Sequence, residues 1–403
     1  MGIYVHVPFC RSKCFYCGFY SVASLTLKEA YLGAIEREIV LRRGYLPRQE
    51  MNTLYFGGGT PSYLKRGELE RIIRKLEENY SFAPGMERTI ELNPEDLVPE
   101  KLQGIKDLGF NRLSIGVQSF SDEQLKRINR THSARQAMDG IALVAGMGFD
   151  NISMDLIIGL PGQTEEELLG DVEKASCLPI VHLSVYMLSI DSNTVFEHMV
   201  KRGEFRLEDE EVMAGRYQRV CERLKELGFE HYEISNFARN GKYSRHNTSY
   251  WQQKPYIGFG PSAHSYDLHS RQWNTANLKT YIDSLYSGSL SFEKEELTIV
   301  DLYNEYVMTN LRTMWGVEKE KLEKEELKPI DLYNEYVMTS LRTMWGMEKQ
   351  KLERDYAMFW EQVQEQVRKY ERSGDLVEEG GRWKISETGW VISDAILSDL
   401  FVV

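Results

Sequence analysis

The chain has 403 residues, of which 42% are hydrophobic and 27% are charged, and its 49 Lys and Arg against 61 Asp and Glu give a net charge of −12. This composition predicts a folded chain of two or three domains and argues against general affinity for nucleic acid or an anionic membrane surface. No run of eighteen apolar residues occurs, and the first residues lack the basic start and long apolar core of a secretory signal. We therefore expect a cytoplasmic protein without a transmembrane segment and without a nucleic acid partner.

Short β-rich runs alternate with amphipathic helical patterns over the first 235 residues. The predicted strands are 3–7, 53–56, 89–92, 112–115, 152–158, 182–187 and 231–234. Helical patterns between them begin at Ser121, Ser133 and Thr164, each followed three residues later by Gln or Glu, the sequence pattern of a capping box. The alternation predicts an α/β fold in which a parallel sheet with crossover helices is closed or partly closed into a barrel. Such sheets bind ligands at the carboxyl ends of their strands.

The rest of the chain changes character twice. Residues 236–292 are irregular and aromatic, and we interpret them as a connecting segment that completes the core formed by residues 1–235. Residues 293–403 return to helical patterns and predict a smaller C-terminal α+β domain. Within it, segments 295–324 and 325–354 align without gaps and differ at seven positions. Because a solenoid needs about three or more repeats, we interpret the pair as a tandem duplication in which only one copy can take the native place.

Three of the five cysteines, Cys10, Cys14 and Cys17, follow the first predicted strand at the spacing CxxxCxxC. In a reducing cytosol, clustered thiols more often bind metal than form disulfides. Three thiolates on one loop can hold three corners of a cubane iron–sulfur cluster and leave one iron open for a chelating ligand. The alternative is a zinc loop, but structural zinc needs four ligands and no nearby pair supplies the rest. His6 could in principle be a fourth ligand, or it could face the core.

Six further motifs, in order along the chain, give it a resemblance to a known family. They are residues 57–62 (GGGTPS), 91–95 (ELNPE), 116–120 (GVQSF), 129–130 (NR), 155–164 (DLIIGLPGQT) and 246–251 (HNTSYW). With the cysteine loop, they make the chain resemble the radical S-adenosylmethionine (SAM) superfamily over nearly its whole length. The similar branch holds the oxygen-independent coproporphyrinogen III dehydrogenases and the HemW-like haem chaperones. The resemblance implies a partial (β/α) barrel with a smaller C-terminal domain, a [4Fe–4S] cluster on the three cysteines, and SAM on the open iron.

The resemblance also implies a set of SAM-binding residues. These are Tyr4, Tyr16, Gly57, Gly58, Gly59, Thr60, Glu91, Gln118, Arg130 and Asp155. A glycine run after a strand lets the backbone approach a ligand closely, and by resemblance this run meets the amino group of SAM. Glu91 and Gln118 are suited to ribose hydroxyls, Arg130 to a carboxylate, and Tyr16 to stacking on adenine. The alternative for Glu91, Gln118 and Asp155 is a buried structural network.

One position separates the two groups of this branch. The dehydrogenases carry a further cysteine two residues after the third one, whereas this chain has Phe19, which cannot ligate a metal or replace a thiol. We also expect no substrate-associated extension before the first strand, since only three residues precede Tyr4. The resemblance therefore favours a haem chaperone, with haem, acceptor haemoproteins and a reductant for the cluster as partners. The alternatives are a coproporphyrinogen III dehydrogenase acting by radical oxidative decarboxylation, and a radical SAM enzyme that modifies or degrades haem.

The sequence offers one first candidate for a haem ligand. Histidine is the commonest protein ligand of haem iron, and the chain has eight histidines. His246 lies in the irregular aromatic segment, which is suited to lining a flat apolar ligand. We therefore predict that His246 binds haem, with a structural loop anchor as the alternative.

Overall fold

The computed structural model describes residues 1–310, 312–315, 329–341, 347–386 and 389–401. The chain divides into two compact units. The first comprises Met1–Asp209 and Arg219–Thr298, and the second comprises Glu210–Gln218 and Ile299–Val403. The domain boundaries predicted after residues 235 and 292 stay predictions. Within the described ranges, no helix is long and apolar enough to cross a membrane.

The strands of the first unit form one sheet. They are β1 Gly2–Val7, β2 Met51–Gly58, β3 Phe82–Leu92, β4 Arg112–Gln118, β5 Ile152–Ile158, β6 His182–Met187, β7 Glu230–Glu233, β8 Asn236–Ala238, β9 Tyr256–Phe259, β10 His264–Tyr266, β11 Ser270–Asn274 and β12 Phe292–Glu296. The order across the sheet is β12-β11-β10-β9-β1-β2-β3-β4-β5-β6-β8-β7. The seven strands from β9 through β1 to β6 are parallel to one another, which confirms the predicted α/β class.

Helices connect these strands and begin where the sequence indicates. They are α1 Lys28–Leu41, α2 Arg66–Asn79, α3 Pro99–Asp107, α4 Asp122–Arg127, α5 Ala134–Gly146, α6 Glu165–Cys177, α7 Val195–Lys201, α8 Glu210–Glu226, α9 Arg245–Trp251 and α10 Leu278–Tyr286. The side chains of Ser121, Ser133 and Thr164 each accept a hydrogen bond from the backbone N–H three residues on. The three predicted helix starts are therefore confirmed, because each cap satisfies a backbone donor that the helix leaves unpaired.

The seventh predicted strand, 231–234, does not continue the parallel sheet. It forms β7, which pairs antiparallel with β8, and β8 pairs antiparallel with β6. Only residues 234–235 separate β7 from β8, whereas a parallel crossover needs a dozen or more residues. The seventh parallel strand is instead β9, which pairs with β1. It lies within residues 236–292, where the sequence pattern predicts no strand.

The two faces of the parallel sheet differ in chemistry. On β1, Ile3, Val5 and Val7 are completely buried, and the alternation of a strand directs Tyr4 and His6 to the opposite face. That face is polar on the neighbouring strands as well. Residues of this face that are paired across adjacent strands are Tyr4 with Tyr55, Tyr55 with Thr89, Glu91 with Ser114, and Asp155 with Ser184. This inner face carries Tyr4, Glu91 and Asp155 of the predicted SAM-binding residues.

The second unit has its own core. It contains α11 Ile299–Asn310, α12 Pro329–Leu341, α13 Lys349–Asp355, α14 Ala357–Ser373 and α15 Ser393–Leu400, with strands β13 Met347–Glu348, β14 Leu376–Glu379 and β15 Arg382–Ile385. The strands form an antiparallel sheet in the order β13-β15-β14. Tyr333, Leu352 and Trp383 are among the residues buried between the helices and this sheet. The unit is therefore α+β.

The two copies of the duplicated segment occupy different environments. In the second copy Tyr333, Val337 and Met338 belong to the core, and Met338 is 7% exposed. The equivalent methionine of the first copy, Met308, is 42% exposed, although the residues around it are nearly identical. Residues 311, 316–328 and 342–346 of the pair lie outside the described residues. The second copy therefore supplies side chains to the core, and the interpretation of the first copy as an added segment stays a prediction.

We expect deletion of residues 295–324 to leave a folded protein. The deletion joins Lys294 to Glu325 and Glu326, which repeat the two glutamates at the end of β12, so the strand sequence is retained. Soluble yield and the urea unfolding midpoint should match those of the full chain. Deleting both copies, 295–354, is the control, because it removes Tyr333 and its neighbours from the core. Loss of soluble expression on the single deletion would contradict the prediction.

Candidate functional site

The cysteine loop leaves β1 and is fixed at both ends. The Cys10 N–H donates to Val22 O (3.1 Å), and the Val22 N–H donates to Pro8 O (2.7 Å), which closes the loop on its own stem. The loop tip is held by the segment after α4, where the Asn129 side chain donates to Lys13 O (2.8 Å). The loop is therefore ordered at the carboxyl end of β1, where the parallel sheet predicts a ligand.

Two of the three thiols have hydrogen-bond donors from other elements. Thr60 Oγ1 donates to Cys10 Sγ (3.5 Å), and Arg130 Nη1 donates to Cys14 Sγ (3.4 Å). Burial raises the pKa of Cys10, and burial raises the pKa of Cys17 to about 11, with Cys14 and Cys10 adding to the shift. The three thiols thus lie within electrostatic reach of one another. Iron would hold them as thiolates, because coordination deprotonates a thiol.

The donor set fits the predicted cluster. Cysteine thiolates are the ligands of [4Fe–4S] clusters, and the loop supplies three of them. His6 does not stand free as a fourth ligand, because its Nε2 bonds Tyr20 O (2.9 Å) and its Nδ1 lies 3.2 Å from the Tyr4 hydroxyl. Across the described residues, no three His, Cys, Asp or Glu side chains are arranged to hold a single metal ion.

The glycine run after β2 has no space for side chains. A Cβ on Gly58 would lie 2.5 Å from the His6 ring, and one on Gly59 would lie 2.8 Å from Val7 O. Gly58 also has φ +105°, a conformation that L side chains rarely adopt. Packing against β1 and the residues that follow it therefore requires glycine at 58 and 59, and at Gly57 a Cβ would meet the side chains of Tyr55 and Glu91 instead.

Two carboxylates on the inner face have raised pKa values. Glu91 accepts hydrogen bonds from the Tyr55 hydroxyl (2.8 Å) and from the Gly58 N–H (3.2 Å), and burial raises its pKa to about 7. Burial raises the pKa of Asp155 to about 6, although the Ser184 hydroxyl opposes the shift. Near neutral pH Glu91 is therefore poised between its two charge states. A cation bound beside it would favour the ionised form.

Gln118 and Arg130 meet near the end of β4. Gln118 is buried in the left-handed region with φ +72°, which is uncommon for a residue other than glycine and often marks a functional site. Arg130 donates to Gly116 O and to Cys14 Sγ. Its Nε is a buried donor with no partner among the described residues. A carboxylate ligand would supply the missing acceptor, so the arginine fits the predicted role toward SAM.

Tyr16 and Tyr4 stand in different parts of the site. Tyr16 packs against an apolar cluster that includes Leu125, Ile128 and Phe196, next to the cysteines. Tyr4 lies on the inner face, with its ring 6.1 Å from the ring of Tyr55. The predicted SAM roles of both residues stay predictions.

Three further titratable residues of the site, Arg112, Glu95 and His132, are not among the predicted site residues. Arg112 is completely buried in β4, and its charge lowers the pKa of Glu91 and of Asp155 against the effect of burial. Glu95 Oε2 lies 3.7 Å from His132 Nδ1, close to Arg130, and burial lowers the pKa of His132 to about 4. The sequence pattern that could have indicated Arg112 is a single arginine in an otherwise apolar strand. Glu95 is the last residue of the ELNPE motif (91–95), and His132 lies two residues after the NR motif (129–130).

His246 is an internal anchor in this structure. Its Nδ1 lies 2.7 Å from Thr53 Oγ1, its Nε2 lies 2.7 Å from the Tyr250 hydroxyl, and burial lowers its pKa to about 3. His246 lies at the start of α9, and its backbone N–H donates to the Glu87 side chain on β3 (3.0 Å). The ring lies beside Gly2, at the amino ends of β1 and β2, whereas the cysteines follow the carboxyl end. This geometry favours the structural alternative over the predicted haem ligand.

Comparison with known proteins places the chain in a family. The profile described as "Radical SAM superfamily" matches residues 4–175, and "HemN C-terminal domain" matches residues 327–392. A protein of Bacillus subtilis (strain 168) named "Heme chaperone HemW" is 35% identical over 322 residues, which cover 79% of this chain and 85% of the relative. The chain belongs to the HemW family of the radical SAM superfamily. The predicted resemblance is thereby confirmed, and membership of the superfamily implies a [4Fe–4S] cluster and SAM.

One further relative supports the family, and one solved structure shows the fold. A Lactococcus lactis protein of the same name is 35% identical over 318 residues, covering 79% of this chain and 83% of the relative. The solved structure of coproporphyrinogen III oxidase (HemN) from Escherichia coli has a TM-score of 0.77 and 22% identity over 99% of this chain and 89% of that one. At this identity the HemN structure shows the fold alone, and it confirms the predicted barrel with a C-terminal domain.

Proposed function

We propose that this protein binds haem and passes it to acceptor haemoproteins in the cytoplasm. It carries a [4Fe–4S] cluster on Cys10, Cys14 and Cys17, binds SAM on the open iron, and takes electrons from a reductant. The observation that carries the proposal is membership of a family whose curated relatives bear the name heme chaperone. Phe19, 68% exposed where the dehydrogenases carry a further cysteine, supports it against the decarboxylase alternative.

Different residues at the carboxyl ends of the parallel strands would contact different parts of SAM. When bound, SAM would supply a sulfonium nucleotide held on the open iron through its amine and carboxylate. The backbone of 57–59 would meet the amine, and Glu91, which accepts a hydrogen bond from the Gly58 N–H, would face the amine in place of the ribose hydroxyls that the resemblance assigns to it. Arg130 would direct its unpartnered Nε at the carboxylate. Gln118 and Asp155 would hydrogen-bond the ribose hydroxyls, and Tyr16 would stack on the adenine. Thr60 fixes Cys10 through its hydroxyl.

We expect SAM affinity to rise with pH through neutrality. Burial raises the pKa of Glu91 to about 7, so below that pH the free protein holds a neutral carboxyl, which accepts a hydrogen bond from the N–H groups of the SAM amine more weakly than a carboxylate does. Affinity should therefore increase up to about tenfold per pH unit below the pKa and level off above it. Equilibrium dialysis of the cluster-loaded protein between pH 6 and 8 measures this. Glu91→Gln should bind more weakly and lose the rise, and a rise that persists in this variant would exclude Glu91 as its source.

We expect His246→Ala to lower stability and leave haem binding unchanged. The substitution leaves the Thr53 and Tyr250 hydroxyls without their buried partner, which costs about 1–3 kcal/mol. Urea unfolding measures the loss, and haem titration followed by Soret absorbance measures binding. A displaced Soret band with unchanged stability would instead restore His246 as a haem ligand.

Two assays on the cluster-loaded chain test the proposed function. We expect haemin to bind with a saturable Soret change and to move to an apo-haemoprotein on mixing. Anaerobic incubation with SAM, reductant and coproporphyrinogen III should release no CO₂ and form no protoporphyrinogen IX. Decarboxylation in that assay would establish the dehydrogenase alternative, and a linear tetrapyrrole formed from haem would establish the haem-degrading one.

A further inference from the structure

The second copy of the duplicated segment carries part of the core of the second unit. Six of its side chains are buried there, namely Tyr333, Val337, Met338, Leu341, Met347 and Leu352. The Tyr333 hydroxyl also donates to Leu400 O (3.1 Å), outside the duplication. Each such side chain packs against several others, so its removal leaves a cavity and lowers stability. The second copy is therefore a structural part of this unit.

The first copy repeats nearly all of these core side chains in its sequence. Thirty residues earlier, in the same order, the chain has Tyr303, Val307, Met308, Leu311, Val317 and Leu322. Five of the six are identical to their counterparts, and the sixth is a valine in place of Met347. A single large-to-small replacement weakens a core without abolishing it. The first copy therefore has the apolar residues needed for the same position.

The polar contacts of the second copy are repeated in sequence as well. The Tyr336 hydroxyl donates to Glu348 O (3.1 Å) and accepts from the Glu348 N–H (2.7 Å), and Arg382 donates to the Glu348 side chain (3.0 Å). The first copy has the same residue types at the matching positions, Tyr306 and Glu318. β13 pairs with β15 through backbone groups, which do not depend on the side chain at its first position. Either copy can therefore supply these contacts.

The differences between the copies give the second one a small advantage. Met347 is 1% exposed, and valine in its place would leave unfilled volume in the core. α12 begins at Pro329, where the first copy has Ile299, and proline is favoured in the first turn of a helix. Thr298 in place of Lys328 acts in the opposite direction, because threonine is the better residue for capping a helix. Together these differences favour the second copy by about tenfold.

The burial of the two matching methionines shows what an exchange of the copies would cost. Met338 is 7% exposed in the core, whereas Met308 is 42% exposed. If the copies changed places, Met308 would become buried and Met338 exposed, so the total buried apolar area would hardly change. Either arrangement also leaves one thirty-residue segment outside the core, so the entropy of loop closure is nearly equal.

We propose that the two copies exchange places in the second unit. In the major arrangement the second copy fills the core, as in this structure. In the minor arrangement the first copy fills it, and residues 325–354 become the added segment. The duplication thereby protects the unit against damage, because an intact copy replaces a damaged one. The proposal concerns the second unit alone and does not depend on the binding of haem or SAM.

Hydrogen exchange of the full chain, followed by mass spectrometry, tests the proposal. The first readout is the protection of α14, which lies in the same core but outside both copies. Met338→Ala should lower this protection by only about tenfold, because the first copy then replaces the second. Met308→Ala should leave it unchanged. The combination of both substitutions should lower it by about a hundredfold, because neither copy then has its methionine.

The second readout is which copy is protected. Peptides of residues 299–310 and 329–340 differ at three positions, so their masses distinguish the copies. In Met338→Ala the slowly exchanging amides should move from 329–340 to 299–310. Leu397→Ala is the matched control, because Leu397 is buried in the same core on α15 and has no counterpart in the duplication. It should lower the protection of α14 by about a hundredfold and leave 329–340 the more protected copy.

Three results would overturn the proposal. The first is an equal loss of protection in Met338→Ala and in the combination, with 329–340 still the protected copy. The second is a second unit that does not fold in Met338→Ala, because the intact first copy should rescue it. The third comes from Val317→Met combined with Met347→Val, which exchanges the two differing core residues and removes none. This pair should raise the protection of 299–310 and lower that of 329–340, and no change in either would contradict the exchange.

Discussion

Replacing Cys14 with alanine is expected to abolish the iron–sulfur cluster. The loop then offers two thiolates, and the Asp191 carboxylate, which lies against Gly18, supplies oxygen where a [4Fe–4S] cluster uses thiolate sulfur. Arg130 also loses the sulfur to which it donates. After anaerobic reconstitution, iron should fall from about four atoms per chain to near none, with a parallel loss of sulfide and of the cluster absorbance.

Cys177→Ala is the matched control for this experiment. Cys177 is exposed at the end of α6, far from the loop in sequence, so its removal should leave the iron content unchanged. Full iron and sulfide in Cys14→Ala would show that the loop is not the ligand set. Zinc in place of iron in the wild type, purified without oxygen, would exclude the cubane and with it the predicted SAM site.

Replacing Glu38 with glutamine is expected to destabilise the first unit by about 3–5 kcal/mol. Glu38 is completely buried, and its two oxygens accept four side-chain or backbone hydrogen bonds. The donors are Arg42 (3.2 Å) and Asn274 (2.6 Å) to Oε1, and Gly260 N–H (2.9 Å) and the Tyr281 hydroxyl (2.6 Å) to Oε2. In either orientation, the amide NH₂ of glutamine would face donors. The substitution also leaves Arg42 buried without its counter-charge.

Urea unfolding followed by circular dichroism measures the loss. Glu70→Gln on the exposed face of α2 is the control and should leave the midpoint unchanged. An unchanged midpoint in Glu38→Gln would show that the network does not tie α1 to the strands β9 to β11. Cluster content at low temperature should stay normal in this variant, because the cysteine loop is fixed by separate hydrogen bonds.

Much of the site follows from local sequence. Cys10, Cys14 and Cys17 lie within one loop, so their spacing in the sequence is sufficient to predict the ligand set. The glycines at 57–59 follow a strand at once, and their role needs only the knowledge that the loop meets β1. Helix starts at Ser121, Ser133 and Thr164 are likewise local, because a cap bonds a backbone N–H three residues away.

Other features depend on partners distant in sequence. The anchor role of His246 comes from Thr53, which is 193 residues away along the chain. The raised pKa of Glu91 reflects burial on an inner face that exists only after seven parallel strands have assembled. In the sequence, Arg112 is a single charged residue in an apolar strand. Its charge lowers the pKa of Glu91 and of Asp155 only because β3, β4 and β5 lie side by side in the folded sheet.

The sequence by itself determined the family, the α/β class and the order of the first six strands, and it predicts the three thiol ligands, because each of these depends on short segments or on their succession. The tertiary structure alone decided that β7 turns back antiparallel and that β9 takes the seventh parallel position. It alone decided which duplicated copy is buried, since Met308 and Met338 have nearly identical neighbours in sequence. The physical reason is the same in each case. Burial and strand pairing are properties of contacts between distant segments, and equal sequences become unequal only when one of them fills the available space in a core.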